Sequence, residues 1–269
     1  MSRLEAQEKK NVSMGPRLHV DGVKLDVSGA AFALDEGPSR HVQVLRMQPG
    51  EGLRLFDGLG REWQAEVTEM GRKVVQVRVL DAIENDRELP VKVTLAVGLT
   101  ANDRMDTLVE KATELGAHAI QPLVCQRSVL RLDAERAAKK VAHWQAVAVS
   151  ASEQCGRSVV PQVLAVQTSL QWLQHPKQVS SASWAQRGVL SLRSAKAVGD
   201  WLRESAHRLE PSPKPDWCFF SGPEGGLTPE EEDLALAGGW QAVSLGRRVL
   251  RADTAPLAVL SVIAAELER

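Results

Sequence analysis

Between Pro16 and about Val79 the apolar residues come in short runs broken by glycine: Leu18-His19-Val20, Val23–Val27, His41–Leu45, Leu53–Phe56, Glu62–Val67 and Val74–Val79. Period-two alternation of this kind marks half-buried strands. The breaks at Asp21-Gly22, Pro49-Gly50, Asp57-Gly58, Leu59-Gly60 and Met70-Gly71 carry turn residues, and Asp-Gly between alternating runs is a strong hairpin signal. Several short strands at this spacing predict a small β-barrel over residues 14–80. Pro38-Ser39 also places a helical piece over Gly37–Val44, overlapping the run counted as strand. Ahead of the barrel, residues 1–13 read as a flexible polar leader. Residues 81–90, charged and closed by Pro90, read as a linker.

After Pro90 the rhythm changes to strands alternating with helices, the sign of an α/β domain over residues 91–269. Val91–Val97 is a buried strand. A helix follows from Asn102 or Asp103 to Leu115, with Met105, Leu108, Val109, Ala112 and Leu115 at helical spacing and Gly116 as its stop. Ala119–Val124 reads as strand. Asp133 caps a long helix to about Cys155, with Ala137, Val141, Trp144 and Ala148 on one face. Gly188–Leu192 is a strand, Ser194 caps a helix to His207, and residues 210–215 are a proline-rich connection. The final helix, Ala255–Leu267, is apolar on most sides, so its burial is expected within the domain or at an oligomer interface.

At 269 residues and 43% apolar content the chain has room for one large domain or two modest ones. Its net charge is −1, and residues 1–90 carry 13 Lys and Arg against 15 Asp and Glu, leaving 20 against 19 in the remainder. With neither half a polycation, any nucleic acid is bound through local patches. Three separated cysteines, Cys125, Cys155 and Cys218, suit neither a disulfide framework nor a zinc site. No run approaches a membrane span and the polar N-terminus has no signal-peptide core, so a cytoplasmic protein is expected. There is no G-x-G-x-x-G after the first strand, no Walker lysine loop, no H-E-x-x-H and no ligand-spaced histidine cluster. A metal is therefore not expected, and NAD dehydrogenases and P-loop NTPases are disfavoured.

The candidate chemistry lies late in the chain. The apolar run Trp217–Phe220 ends in the loop Ser221-Gly222-Pro223-Glu224-Gly225-Gly226, and a helix then opens with Thr228 as N-cap, Pro229 first in the helix and Glu231 completing a capping box. The run Trp240–Leu245 ends in Gly246-Arg247-Arg248 and leads through Leu250-Arg251-Ala252-Asp253-Thr254 into the final helix. Glycine loops at strand ends bring backbone N–H groups close to a small ligand, and two such loops on adjacent strands would make a site.

These segments resemble the SPOUT class of methyltransferases and, within it, the 16S ribosomal RNA uridine-N3 methyltransferase family. That family carries a GPEGG loop and then LG-x-R-(I/V)-L-R-x-E-T-A; here Asp253 stands where Glu is usual. Pro16-Arg17, His41–Met47 and Leu55–Gly58 resemble its N-terminal PUA-like RNA-binding barrel. Lys111–Gly116 and Ser152–Arg157 resemble its middle segments. Where some relatives carry a histidine after the strand at Val189, this chain reads Leu190-Ser191-Leu192-Arg193. The resemblance implies a PUA-like barrel followed by a SPOUT α/β domain with a C-terminal trefoil knot, a homodimer, and no membrane partner. It implies transfer of a methyl group from S-adenosyl-L-methionine to N3 of uridine 1498 in 16S rRNA of the 30S subunit. It places the cofactor on Leu190, Gly222, Glu224, Gly225, Gly226, Leu245, Gly246, Val249, Leu250 and Thr254.

A sulfonium methyl is already activated, so such a protein mainly has to hold donor and acceptor in line. Uridine N3 loses its proton only above neutral pH, and Arg251 is the candidate cation for the charge on the uracil oxygens. The alternative is that Arg251 braces the loop against Asp253. Glu224 is either a ligand contact or a loop anchor at a helix N-terminus. From Gln126 to Arg157 six basic residues face three acids. Arg127 and Arg157, with Arg17 and Arg46 from the barrel, are the expected RNA contacts, whereas Arg136, Lys139 and Lys140 read as a solvated helix flank. Three other readings stay open: a non-catalytic RNA-binding ribosome-assembly factor, a SPOUT methyltransferase acting on another rRNA or tRNA position, and an α/β enzyme using another nucleotide.

Overall fold

The structure is a computed structural model that describes residues 15–20, 28–130, 132–174, 184–193, 195–206 and 213–268. The leader, the Asp21-Gly22 turn, the Val23–Val27 strand, Arg131, the Ser194 cap and the helix end at His207 lie outside the described residues. Contacts divide the chain into two units, the first taking the described residues up to Arg87 together with Ser152–Val160.

In the first unit β1 (Arg17–His19), β2 (Ala31–Ala33), β3 (Gly52–Phe56), β4 (Glu62–Met70) and β5 (Val75–Ile83) form one sheet in the order β1-β3-β4-β5-β2. β3, β4 and β5 are consecutive antiparallel strands, and β1 joins parallel to β3. Among the described residues the order is an open path, so the expected barrel is seen as a sheet. Inward positions Leu18, Leu53, Leu55, Val67, Val75, Val77 and Val79 make its core, with Val42 from helix α1 (Glu36–Val44).

Two expectations are corrected here. His41–Leu45 is the end of α1, not a strand. The alternation of Val42 and Val44 imitates a strand, but only Val42 turns inward; Val44 is 71% exposed. Ser39, buried in the first turns, bonds the Leu34 carbonyl and the Val75 N–H and fixes the helix to the sheet. The residues expected as linker are in part structural: β5 runs on to Ile83, and the Asn85 side-chain amide donates to Gly156 O and Ser158 Oγ.

Arg17, expected at an RNA surface, is buried instead. Its guanidinium forms a bidentate pair with Glu62 (3.0 and 2.9 Å) and donates to the carbonyl oxygens of Ser152 (2.7 Å) and Arg157 (3.1 Å). Burial pushes the Glu62 carboxyl up, but hydrogen bonds from Arg17, Ser158 and Asn85 and the Arg17 charge together hold it down to about 2. Breaking a buried pair by removing one partner costs about 3–5 kcal/mol. Glu62→Gln is therefore expected to destabilise the first unit by that order in urea unfolding at pH 7. Glu62 titrates near 2 when folded and near its ordinary 4.5 when unfolded, so its contribution is complete above pH 4.5 and fades as pH falls toward 2. The gap between wild type and variant should close over the same window.

The second unit holds a parallel sheet ordered β11-β13-β10-β12-β6-β7-β8. Its strands are β6 (Lys92–Gly98), β7 (Ala117–Val124), β8 (Gln162–Val163), β9 (Gln167–Thr168, beside β7), β10 (Gln186–Leu190), β11 (Lys196–Ala197), β12 (Asp216–Ser221) and β13 (Gln241–Ser244). The helices are α2 (Asn102–Glu114), α3 (Ala134–Cys155), α4 (Ser169–Gln174), α5 (Val198–Ala206), α6 (Pro229–Ala237) and α7 (Thr254–Leu267), with the last turn of α3 belonging to the first unit. The stripe Met105, Leu108, Val109 and Ala112 of α2 is fully buried, and Gly116 (φ 93°) stops the helix. Asp133 caps α3 through a 2.8 Å bond from the Arg136 N–H.

β12, central in the sheet, is apolar on both faces, as a covered parallel strand must be. Cys218 and Phe220 face a cluster with Trp172 and Trp240, while Trp217 and Phe219 meet Trp201. Of α7, Pro256, Val259, Leu260 and Ile263 are buried, but Leu257, Val262 and Leu267 remain partly exposed, so its burial within the unit is one-sided. Among the described residues no helix is long and apolar enough to cross a membrane.

Candidate active site

The first glycine loop leaves the C-terminal end of β12 and the second leaves that of β13. Adjacent strands were expected from sequence, but β10 lies between these two. The end of β10, continued by Ser191–Arg193, is thus a third wall. Ligands in open parallel sheets gather at C-terminal strand ends, and here the three segments enclose a cavity of about 610 Å³, a size typical of small-molecule sites.

Leu190, Gly222, Glu224, Gly225, Gly226, Leu245, Gly246, Val249, Leu250 and Arg251 all line this cavity. Thr254 does not. It opens α7 with an exposed side chain, and its N–H donates to the Arg251 carbonyl at 3.0 Å. Ser221 and Pro223 of the expected loop line it too, and so do residues that sequence reasoning missed, among them Ser191, Arg193, Glu232 and Arg104.

The first loop is held from several sides. A Cβ on Gly98, at the end of β6, would stand 2.4 Å from Pro223 N, and one on Gly222 would stand 2.7 Å from Gly226 C and Leu227 N. Backbone packs on backbone here, and only glycine permits it. Glu224 accepts from the N–H of Ala101, the N-cap of α2, at 3.1 Å and pairs with Arg104 at 3.5 Å. It is a loop anchor on a helix N-terminus, where the dipole favours a carboxylate. The capping box at Thr228 forms as expected. Its buried Glu231 reaches further, accepting also from the Gln126 N–H and the Ser169 hydroxyl. That fixes the 125–128 turn, from which Arg127 donates to the carbonyls of Gly225 (3.2 Å) and Leu227 (3.1 Å).

The third wall is tied to α6. Ser191 Oγ bonds Glu232 at 3.1 Å, and Arg193 reaches Glu232 and Asp233, each at 3.4 Å. The cations of the cavity therefore fall into two sets. Arg104, Arg127 and Arg193 have protein partners. Arg248 and Arg251, on the second loop, have among the described residues no side-chain hydrogen bond or ion pair. The brace between Arg251 and Asp253 is not formed.

Of the expected RNA contacts, Arg17 and Arg157 are corrected: they are 6% and 3% exposed, and Arg17 is fully engaged by Glu62 and carbonyls. Arg127 braces the glycine loop. Of the four, Arg46 alone is exposed with no side-chain hydrogen bond or ion pair among the described residues. On the α3 flank Arg136 pairs with Asp133 and Lys139 with Glu135, all solvent-exposed. Burial pushes the Cys125 and Cys218 thiols up, Cys125 further so by Glu231, which leaves neither available as a thiolate. Among the described residues no group of three or more His, Cys, Asp or Glu side chains is arranged to hold a metal.

Comparison with known proteins bears on this geometry. Residues 87–264 match the family described as RNA methyltransferase domain, and residues 34–80 match the RNA methyltransferase PUA domain. The chain is 33% identical over 266 residues, 98% of its length and 83% of the relative, to a ribosomal RNA small subunit methyltransferase E of Synechocystis sp.. It is 33% identical to the protein of that name from Bacillus subtilis, over 84% of this chain and 86% of that one. A crystal structure of a ribosomal RNA small subunit methyltransferase E from Neisseria gonorrhoeae bound to S-adenosyl methionine is 35% identical, with a TM-score of 0.80 over 93% of this chain and 97% of that one.

Proposed function

The chain belongs to the ribosomal RNA small subunit methyltransferase E family of S-adenosylmethionine-dependent enzymes, and we propose that it methylates N3 of one uridine, uridine 1498, in 16S RNA. The observation that carries this reading is the pair of glycine loops facing one cavity. Gly226 (φ +69°) and Gly246 (φ +111°) line it with no heavy atom within 4 Å of where a Cβ would stand. Main chain thus approaches the cavity from two sides, which suits a polar nucleoside read by N–H and C=O groups. In this reading Gly225, Gly226 and Gly246 give close approach, Leu190 and Leu245 pack against the ligand, and the amides of Val249 and Leu250 read the adenine edge. Glu224 acts through the loop it anchors.

When bound, S-adenosylmethionine supplies an electrophilic methyl group. The chain's part is to hold it in line with the acceptor and exclude other geometries, which can remove much of the barrier. Arg251 stabilises the negative charge that appears on the uracil oxygens as the N3 proton leaves. Its backbone is fixed because its carbonyl accepts from both the Thr254 and Ala255 N–H groups at 3.0 Å. A donor fixed before the reaction gives the most stabilisation.

RNA contact outside the cavity falls, in this reading, to the first unit's exposed cations around Arg46. Arg46 occupies the left-handed position (φ 56°) that ends α1, usually a glycine site, at a cost of about 1 kcal/mol. Gln43 of α1 bonds Gly71 O and Arg72 O, bringing Arg46 together with exposed Arg72 and Lys73. The partly exposed apolar residues of α7 support a homodimer. A trefoil knot at the C-terminal end of the second unit is part of the same reading.

Nucleoside mass spectrometry after reaction with 16S RNA, naked and in 30S subunits, tests the reading: 3-methyluridine is expected, and 5-methyluridine or a ribose methyl would overturn it. A separate outcome concerns Arg127. Arg127→Ala should raise the dissociation constant of S-adenosylmethionine about tenfold, because it frees the loop, while leaving the salt dependence of RNA binding as it was. Calorimetry and binding titrations at several salt concentrations distinguish this from a phosphate contact.

A further inference from the structure

We propose that Arg248 binds a phosphate of the target nucleotide, next to the base held by Arg251; this rests on the reading above. Arg104 and Arg193 are paired with carboxylates, and Arg127 is held by two carbonyl oxygens of the first loop. Arg248 and Arg251 are not, although both line the cavity, and both are exposed. Two unanswered guanidinium groups three residues apart at one cavity call for two anionic or electron-rich centres on the ligand that enters there. A nucleotide offers that pair: the uracil oxygens and the flanking phosphate.

The two arginines differ in how they are held, which divides the roles. Arg251 is anchored through its carbonyl at the start of α7. Arg248 sits in the bend between Gly246 and Val249, beside a valine side chain that is 79% exposed, with no hydrogen bond to the rest of the described chain. A charge that develops only in the transition state needs the fixed donor. A phosphate is charged throughout and tolerates a mobile point charge, which lysine also supplies.

The test is steady-state methylation of 16S RNA by Arg248→Ala and Arg248→Lys, with S-adenosylmethionine affinity measured by calorimetry. Arg248→Ala should raise KM for RNA about tenfold, with the loss carried mainly in KM. The slope of log affinity against log salt should fall by about one. Arg248→Lys should restore most of the loss, and cofactor affinity should stay within about threefold of wild type. Unchanged KM and salt slope in Arg248→Ala would overturn the assignment, as would a loss confined to cofactor binding. If wild type itself transfers no methyl group to uridine N3, the functional reading fails instead.

Discussion

Replacing Arg251 with alanine is expected to lower turnover on RNA by about a hundred- to a thousandfold, the usual loss when one preorganised donor to a developing oxyanion is removed. The guanidinium lines the cavity, has no hydrogen bond or ion pair among the described residues and is carried on a backbone fixed at the N-terminus of α7. Folding should be little affected, since among the described residues no side-chain hydrogen bond or ion pair is lost. The effect has a pH signature. A cation beside the uracil oxygens favours the deprotonated imide, so it draws the rising limb of the rate profile to lower pH. In Arg251→Ala that limb should move to higher pH, and the deficit should shrink in alkaline solution. Single-turnover rates across pH check this; a deficit that stays constant would assign Arg251 to RNA binding.

Gly222→Ala should act on the cofactor. The added methyl would stand 2.7 Å from two backbone atoms, Gly226 C and Leu227 N, neither of which can swing aside as a side chain would. Relief requires the loop to open, and Gly98 packed on Pro223 prevents it from moving as a block toward β6. Overpacking of this kind costs about 1–3 kcal/mol. If the loop opens, that cost appears in ligand binding as about a ten- to hundredfold weaker S-adenosylmethionine affinity. Calorimetry on the folded variant measures it. An affinity equal to wild type would mean that the loop does not contact the ligand.

Much of the second unit was legible because its signals are local. Thr228, Pro229 and Glu231 specify a helix start by their own hydrogen bonds, and Gly116 stops α2 for conformational reasons that need no tertiary context. The order of strands was not legible. Both glycine loops announce themselves in sequence, but the insertion of β10 between β12 and β13 depends on long-range pairing, and with it came the unforeseen wall of Ser191 and Arg193. The arginines show a similar limit. Arg17, Arg127 and Arg157 look alike in sequence to Arg46, yet Glu62 and burial withdraw Arg17 and Arg157 from the surface, and the exposed Arg127 donates to the Gly225 carbonyl. What separates Arg17 and Arg127 from Arg46 is a partner 45 or 98 residues away, which spacing cannot reveal. At His41–Leu45 a two-residue alternation was outweighed by Ser39, whose hydroxyl joins α1 to β5.

The most direct measurement is primer extension on 16S RNA before and after incubation of 30S subunits with the protein and S-adenosylmethionine. A methyl group on N3 removes a Watson–Crick donor and halts reverse transcriptase. One new stop is expected, immediately before uridine 1498, absent without the cofactor. Full-length extension through that uridine, or stops at other positions, would contradict it.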